Sequence, residues 1–290
     1  MDHDSFIFKP GADLSSFDPG ATAGFADEES AQASMRKTTE RIARGQDRLM
    51  AHGAYGLVIL FQAMDGAGKD ATIKHVMSGL DPQGVEVKMF KSPTDKELPH
   101  DYLWRTALAL PARGQIGLFN RSYYEQVVAD RVHPEQLEDQ RLPPEALGDG
   151  LWEQRFRQIN HFEQYLVENG IHVLKFFLNL SRDEQRSRLL ERMDRPDKRW
   201  KFERRDLEER QRWDDWMAAY AAALEHTSTE LAPWYVIPAD RRWVARAIVA
   251  SIVEAKLHAF HDEYPRLSAD QERELQECRA ELEGERGETA

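Results

Sequence analysis

The segment 56–72 constrains the fold of this chain more than any other, because an apolar run leads directly into a glycine-rich turn. Residues 57–61 are apolar, the turn ends at Gly68 and Lys69, and a helical pattern begins near Asp70. A strand, a glycine turn, a lysine and a helix in this order are typical of a phosphate-binding P-loop. In such a loop the backbone N–H groups surround phosphate oxygens, while the helix N-terminus and the lysine add positive charge. We therefore expect an enzyme or a binding protein that handles a chain of phosphates.

The turn departs from the usual P-loop pattern at two positions. Ala63 occupies the place of the first glycine, and Asp70 occupies the place of the hydroxyl residue that ligates magnesium in ordinary P-loop enzymes. A carboxylate at position 70 suits the positive end of a helix dipole, so we expect other groups to hold the metal. Asp65, inside the turn, is the expected substitute. A glycine turn with a purely structural role is the alternative.

Composition favours a soluble α/β enzyme made of one large domain or of a domain with a lid. The 290 residues carry a formal net charge of −12, which argues against general nucleic-acid binding because that activity needs a basic surface. No apolar run reaches the length of a membrane span, and the N-terminus lacks the pattern of a secretory signal. The single cysteine, Cys278, cannot form an internal disulfide. We therefore expect a cytoplasmic protein without membrane or nucleic-acid partners.

Strand and helix patterns alternate along the middle of the chain. Strands are predicted at 57–62, 85–91, 116–120, 171–180 and 234–238. Alternation of this kind predicts right-handed crossovers and a five-stranded parallel sheet with helices on both faces. The domain organisation that we predict is an N-terminal extension with a helix (1–52), a P-loop domain (53–267) with a lid (about 182–212), and a flexible C-terminal tail (268–290).

A second group of polar residues follows the third predicted strand. Ligands of parallel sheets bind beyond the carboxyl ends of the strands, and P-loop enzymes usually place an acidic metal ligand at this strand end. Here the position holds Asn120, whose carbonyl oxygen can ligate a metal, followed by Arg121, which can pair with a phosphate through two hydrogen bonds. The alternative is that Arg121 and Glu125, four residues apart on a helix, form a surface ion pair.

The segment 182–212 is basic within an acidic protein. It holds twelve Lys and Arg residues against nine Asp and Glu residues, so its net charge is +3 while the rest of the chain carries −15. It lies between the fourth and fifth predicted strands, where nucleotide kinases carry a mobile lid that brings cations to the transferring phosphoryl group. The alternative is a solvated pair of charged helices.

Taken together, these three features resemble the family-2 polyphosphate kinases. The resemblance spans about residues 30–258 and is carried by AMDGAGKDATIKHVMSGLDPQG, IGLFNRSYYEQVVADRVHPE, RMDRPDKRWKF and TSTELAPWYVIPADRRW. The Asn-Arg-Ser-Tyr-Tyr-Glu motif is most similar to the subgroup that phosphorylates both AMP and ADP. The resemblance implies a three-layer P-loop kinase fold of the thymidylate-kinase type. It also implies a Mg²⁺ requirement, with Mn²⁺ as the alternative, and transfer of the terminal phosphoryl group of inorganic polyphosphate to AMP and ADP.

The resemblance further implies roles for individual residues. The catalytic set would be Asp65, Lys69, Asn120 and Arg121, with Asp65 and Asn120 as metal ligands. Tyr124 and Glu125 would contact the nucleotide. The residues expected to bind polyphosphate are Gly66, Ala67, Gly68, Lys69, Asp70, Arg121, Arg131, Arg188, Arg192, Lys198 and Lys201. The sequence departs from its relatives at Gly66-Ala67, where Ala-Ala is common, and we expect little consequence.

Two other functions stay open at this point. An ATP-dependent nucleoside monophosphate kinase would have the same fold, although an ATP user should prefer serine or threonine at the position of Asp70. A non-catalytic protein that binds nucleotide or polyphosphate is the second alternative. Such a protein should have lost at least one of Asp65, Lys69 and Arg121, and all three are present. We also expect a homo-oligomer, either a dimer or a tetramer, with AMP, ADP, ATP and polyphosphate as its other partners.

Overall fold

Five parallel strands form the centre of the protein in the computed structural model, which describes residues 1–285. They are β1 (Gly56–Gln62), β2 (Val85–Met89), β3 (Ile116–Asn120), β4 (Ile171–Asn179) and β5 (Trp234–Pro238). Their order across the sheet is β2-β3-β1-β4-β5, so β1 lies in the middle. The predicted α/β fold with a five-stranded parallel sheet is confirmed.

Helices cover both faces of this sheet. Those of the described residues are α1 (Glu28–His52), α2 (Lys69–Val76), α3 (Trp104–Ala107), α4 (Glu125–Val132), α5 (Gln136–Asp139), α6 (Leu151–Glu168), α7 (Arg182–Asp194), α8 (Arg205–Gln211), α9 (Trp213–Thr227), α10 (Arg242–Phe260) and α11 (Ala269–Glu285). None of these helices is long and apolar enough to cross a membrane. Helix α3 is only four residues long, with turns on both sides of it.

The sheet divides the core into two halves, and every residue of its central strand β1 is buried between them. Val58 and Leu60 face the half that α4, α6 and α9 cover, whereas Ile59 and Phe61 face the half that α1, α2 and α10 cover. Alternate residues of a strand point to opposite faces, so a strand that is buried on both faces reads as a continuous apolar run. β1 ends where this buried run ends, so the turn that follows it begins at the carboxyl end of the central strand.

The N-terminal extension packs on the domain. Ile7 forms an antiparallel bridge with Tyr235 beside β5, and Phe8 is buried with its N–H donating to the carbonyl of Trp234 at 2.8 Å. Helix α1 packs along α10, and a β-carbon added at Gly45 would lie 2.9 Å from the Leu257 β-carbon. The absence of a side chain at Gly45 therefore allows the two helices to approach closely.

The segment predicted as a lid consists of α7, a short 3₁₀ turn at Arg199–Lys201 and α8. At the C-terminus the flexibility that the sequence predicts for residues 268–290 stays a prediction. Residues 269–284 belong to the exposed helix α11, and residues 286–290 of the predicted tail lie outside the described residues. The charged residues at helical spacing explain this helix, since Glu and Lys/Arg side chains lose little freedom in a helix.

Candidate active site

The turn at residues 63–68 connects β1 to α2 and encloses the side chain of Lys69. Gly66 and Gly68 have φ angles of +88° and +97°, a left-handed conformation that side chains disfavour. Lys69 turns back into the loop, where Nζ donates to the carbonyls of Ala63 at 2.8 Å and of Met64 at 3.5 Å. Burial lowers the pKa of the Lys69 ammonium. The lysine is therefore held at the bottom of the turn, as a P-loop requires.

Asp65 lies between two cations. Its Oδ1 is 3.9 Å from Lys69 Nζ and accepts a hydrogen bond from Arg121 Nη2 at 3.0 Å, while Arg121 Nη1 donates to Glu125 Oε2 at 3.3 Å. Burial alone would raise the pKa of Asp65, but Lys69 and Arg121 outweigh it and hold that pKa below its ordinary value. Asp65 is therefore ionised at neutral pH.

Arg121 reaches Asp65 because its backbone is left-handed, with a φ of +61°. Its N–H donates to the carbonyl of Phe61 in β1 at 3.1 Å, which extends the strand pairing by one bond. A non-glycine residue in this region costs about 1–3 kcal/mol and persists where the surrounding structure requires it. The strain at Arg121 is thus located at the point where the third strand meets the P-loop.

The structure connects Asn120 to Asp70. The Asn120 side-chain amide donates to Asp70 Oδ1 at 2.7 Å, and Lys201 Nζ of the lid segment lies 3.7 Å from Asp70 Oδ2. Asp70 is thus held by two groups in addition to its place in the first turn of α2. Because the amide nitrogen of Asn120 is used in this way, its carbonyl oxygen is the atom that remains to contact a cation.

A cavity of about 470 Å³ opens beside the turn and is lined mainly by cations. The P-loop, the lid segment and α10 contribute its walls. Its charged residues are Lys69, Arg188, Arg192, Arg195, Lys198, Lys201, Arg242 and Arg246, against Asp65, Asp70 and Glu191. We call it the basic cavity. Eight cations against three carboxylates leave a strong excess of positive charge, which suits a ligand with several negative charges.

Two lid residues in the wall of the basic cavity have different roles. The guanidinium of Arg188 donates to the carbonyls of Ala67 at 2.9 Å and of Ala239 at 2.6 Å, so it holds α7 against the P-loop and the end of β5. Arg192 pairs with Asp206 of α8 at 3.1 Å and is partly exposed. Arg188 is therefore placed to position the loop, whereas Arg192 is accessible to a ligand.

Glu191 gathers three cations at the far wall of the basic cavity. Its carboxylate lies 2.6 Å from Arg242, 3.1 Å from Lys198 and 3.4 Å from Arg195. These hydrogen bonds, with that from Arg242 the strongest, lower the pKa of Glu191 to about 2. Arg195, Arg242 and Arg246 are not among the site residues predicted from the sequence, although Arg242 follows the last strand, where a parallel sheet places ligand-binding groups.

A second, smaller pocket lies on the other side of Asp65. Arg121, Glu125, Asp206, Trp216 and Tyr220 line it. Asp65 lines both this pocket and the basic cavity. Asp65 therefore lies between the basic cavity and a pocket that combines two aromatic rings and the Arg121 guanidinium with the carboxylates of Glu125, Asp206 and Glu209.

The structure corrects one of the predicted contacts, Tyr124, while that of Arg131 stays a prediction. Tyr124 is fully buried and donates its hydroxyl to Glu163 at 2.8 Å, so it is a core residue and not a nucleotide contact. Arg131 lines neither the basic cavity nor the smaller pocket; it is exposed, and its guanidinium lies 6.0 Å from the ring of Trp152. Glu125, the other predicted nucleotide contact, does line the smaller pocket.

A divalent cation fits the oxygen donors at the turn. Among residues 1–285 no group of three or more His, Cys, Asp and Glu side chains is arranged to hold a metal by itself. Magnesium in phosphoryl-transfer sites is commonly held by one or two carboxylates together with waters and substrate phosphates. Asp65 and Asp70 both line the basic cavity, and their side chains are 39% and 62% exposed. The site can therefore share a cation with a bound phosphate chain.

Comparisons with known proteins agree with this geometry. The family model for polyphosphate kinase 2 matches residues 25–265. An ADP-polyphosphate phosphotransferase of Rhodopseudomonas palustris is 47% identical, over 86% of each chain. An AMP/ADP-polyphosphate phosphotransferase of Meiothermus ruber is 42% identical, over 87% of this chain and 91% of that protein.

Solved structures show the same likeness. The crystal structure of polyphosphate kinase 2 from Arthrobacter aurescens TC1 superposes with a TM-score of 0.85 at 39% identity, covering 94% of this chain and 95% of that one. A structure from Pseudomonas aeruginosa PA01, described as a putative polyphosphate kinase 2, gives a TM-score of 0.76 at 30% identity and covers 85% of this chain and 50% of that one. With a family match over most of its length, a P-loop and a basic cavity beside it, the chain belongs to the polyphosphate kinase 2 family.

Proposed function

We propose that the protein transfers the terminal phosphoryl group of inorganic polyphosphate to AMP and ADP, giving ADP and ATP. The observation that carries this proposal is the position of Asp65, between the basic cavity and the smaller pocket with Arg121 and Tyr220. A donor chain on one side and an acceptor phosphate on the other would meet at Asp65 and Lys69. The relatives named ADP-polyphosphate phosphotransferase and AMP/ADP-polyphosphate phosphotransferase support AMP and ADP as acceptors.

The basic cavity favours polyphosphate over ATP as the donor. Its cations extend from the turn across α7 to Arg242 and Arg246 on α10, well beyond the reach of the loop itself. A nucleotide donor would leave most of these charges without phosphates, whereas an extended polyanion would contact them in succession. Asp70 at the usual hydroxyl position supports the same conclusion, since Asn120 holds it in place for a role of its own.

Phosphoryl transfer requires positioning and charge neutralisation more than covalent chemistry from the protein. Lys69 and Arg121 would stabilise the charge that develops on the transferring group, because both surround Asp65 at the bottom of the site. The acceptor is a phosphate oxygen of AMP or ADP that is already ionised at neutral pH, so no residue has to remove a proton. The lid cations would approach the donor chain and exclude water.

We propose Mg²⁺ as the metal, with Mn²⁺ as the alternative. Asp65, Asp70 and the carbonyl oxygen of Asn120 would hold it together with substrate phosphates, because magnesium prefers oxygen ligands. When bound, the ion would neutralise charge on the phosphates. We also propose a cytoplasmic location, where AMP and ADP are available, and assembly into a homo-oligomer stays a prediction.

The experiment that tests the function supplies the purified protein with Mg²⁺, long-chain polyphosphate and either AMP or ADP, without added ATP. We expect ADP from AMP and ATP from ADP, measured by chromatography of the nucleotides. The Lys69→Ala variant serves as the control, with a rate lower by about two to three orders of magnitude, because a preorganised charge of this kind contributes roughly 3–4 kcal/mol. Phosphorylation of AMP by ATP but not by polyphosphate would instead identify a nucleoside monophosphate kinase.

A further inference from the structure

A second cavity shares the lining residue Arg246 with the basic cavity. It has a volume of about 300 Å³ and lies between α1, α2 and α10. Its walls include Glu28 and Arg36 of α1, His75 of α2, and Trp243 and Arg246 of α10. Arg246 lines both cavities, so a chain-like ligand in the basic cavity can pass along α10 into the second one.

Arg246 forms no ion pair with the described residues, although the charge of Glu28 in the same cavity acts on it. Its Nη1 donates to His75 Nε2 at 3.1 Å, and His75 Nδ1 bonds to the carbonyl of Ala71 at 2.7 Å. Since a carbonyl only accepts, Nδ1 carries a proton towards Ala71, which leaves Nε2 to accept from Arg246. Within residues 1–285 no carboxylate lies within 4.0 Å of Arg246, and its buried Nε has no hydrogen-bond partner. A half-buried guanidinium in this condition indicates a site for an anion.

Other cations extend the positive surface in both directions from Arg246. Arg242 lies one turn earlier on the same face of α10, about 6 Å along the helix axis. Arg36 stands on the opposite wall, is exposed, and forms no ion pair with the described part of the chain. Glu28 is the acid in the lining of the second cavity, so Arg36 and Arg246 together leave it with net positive charge.

We propose that the second cavity is a distal polyphosphate site, formed by Arg36 and Arg246, that binds phosphates remote from the transferring group. This inference rests on the proposed function, because it assigns a second contact to the same donor. A short donor would end within the basic cavity, whereas a long one would reach the distal site. The consequence is a preference for long chains that is expressed in KM and not in kcat, because the distal phosphates are bound equally before and during transfer.

The test compares Arg36→Glu with the matched control Arg44→Glu. Arg44 is also an exposed arginine of α1, but it lines neither cavity. For Arg36→Glu we expect the KM for long-chain polyphosphate to rise about tenfold, which corresponds to the loss of one hydrogen bond to a charged group. The kcat and the KM for short-chain polyphosphate should stay unchanged. Arg44→Glu should leave all three values unchanged. Equal KM values for long chains in the two variants would overturn the inference.

Binding without turnover separates this inference from the proposed function. Long-chain polyphosphate is titrated onto the wild-type protein and both variants without nucleotide, at several salt concentrations. We expect weaker binding and a shallower salt dependence for Arg36→Glu alone, because one contact with the polyanion is lost. Arg246→Gln should weaken the binding of long chains more than that of short ones. If the wild-type protein transferred no phosphoryl group from any polyphosphate, the proposed function would fail, and this titration would still decide whether the distal site exists.

Discussion

Oδ1 of Asp65 lies 3.0 Å from Nη2 of Arg121, and this pair connects the P-loop to the end of the third strand. The left-handed backbone of Arg121 makes the contact possible, and Glu125 holds the other side of the guanidinium at 3.3 Å. Because Asp65 also faces Lys69, three charges from two separate sequence motifs form one unit. The chemistry that we propose depends on this unit more than on any single residue.

The first prediction concerns the two acidic residues of the P-loop. Asp65→Asn removes the charge that faces both Lys69 and Arg121, so we expect kcat with polyphosphate to fall by about 10²–10³. Asp70→Asn should have a smaller effect, because Asp70 lies at the cavity edge, where Asn120 holds it. Initial rates at saturating substrate measure both changes, with thermal unfolding as the check on folding. Equal losses would show that both carboxylates act at the transferring group.

A second prediction separates backbone strain from chemistry at Arg121. Both Arg121→Ala and Arg121→Gly remove the guanidinium, so both should lose the polyphosphate-dependent activity. Glycine adopts a φ near +61° without strain and alanine does not, so the glycine variant should be more stable by about 1 kcal/mol. Urea denaturation of the two variants measures this difference. A more stable alanine variant would mean that the left-handed conformation of residue 121 is not retained.

The sequence predicted the sheet and the P-loop because both depend on local patterns. Continuous apolar runs mark strands that are buried on both faces, and a glycine turn that ends in a lysine is typical of a phosphate-binding loop. Placing Asn120 and Arg121 near the loop needed only the rule that the carboxyl ends of parallel strands share one edge. The pairing of Asn120 with Asp70 needed the folded structure, because these residues are fifty positions apart.

The placement of Tyr124 and Arg131 away from the two cavities has a geometric cause. Residues 121–125 form a tight turn into α4, which directs Tyr124 to the core while Arg121 and Glu125 face the site. Arg131 is six residues beyond Glu125, so it lies on a different face of the same helix. The sequence did not indicate Arg246, because this residue belongs to a helix that has the pattern of a core element and shows no phosphate-binding motif.

The third prediction addresses a buried ion pair that the sequence does not reveal. Lys175 Nζ lies 2.6 Å from Glu163 Oε2, both side chains are fully buried, and Tyr123 and Tyr124 donate to the other carboxylate oxygen. Lys175→Met should lower the free energy of unfolding by about 3–5 kcal/mol, because it leaves the buried Glu163 carboxylate without its counter-charge. The double variant Glu163→Gln/Lys175→Met should lose less, as the Gln carbonyl can accept from the tyrosines. Urea denaturation measures both, and a larger loss for the double variant would contradict this explanation.

A fourth prediction uses the low pKa of Glu191. The pKa is about 2 in the folded protein against an ordinary value of 4.5, because Arg242 and Lys198 donate to the carboxylate. The stabilisation from a depressed acid pKa is fully present above about 4.5 and is lost as the pH falls towards about 2. The difference in unfolding free energy between the wild-type protein and Glu191→Gln should therefore be largest near neutral pH and shrink below pH 4.5. A difference that is independent of pH would exclude this ion-pair contribution.

The last prediction concerns the two lysines of the lid segment, Lys198 and Lys201. Both line the basic cavity and are partly exposed, so replacing both with alanine should raise the KM for polyphosphate far more than the KM for AMP. Added salt should reduce this difference, because the contacts are electrostatic.

Arg204→Ala is the matched control, since Arg204 belongs to the same segment, has an 88% exposed side chain and does not line the cavity. Circular dichroism should confirm folding, because the Lys201 ammonium also lies 5.1 Å from the centre of the Trp200 ring. An unchanged KM for polyphosphate at low salt would show that this part of the lid is only a solvated, charged surface.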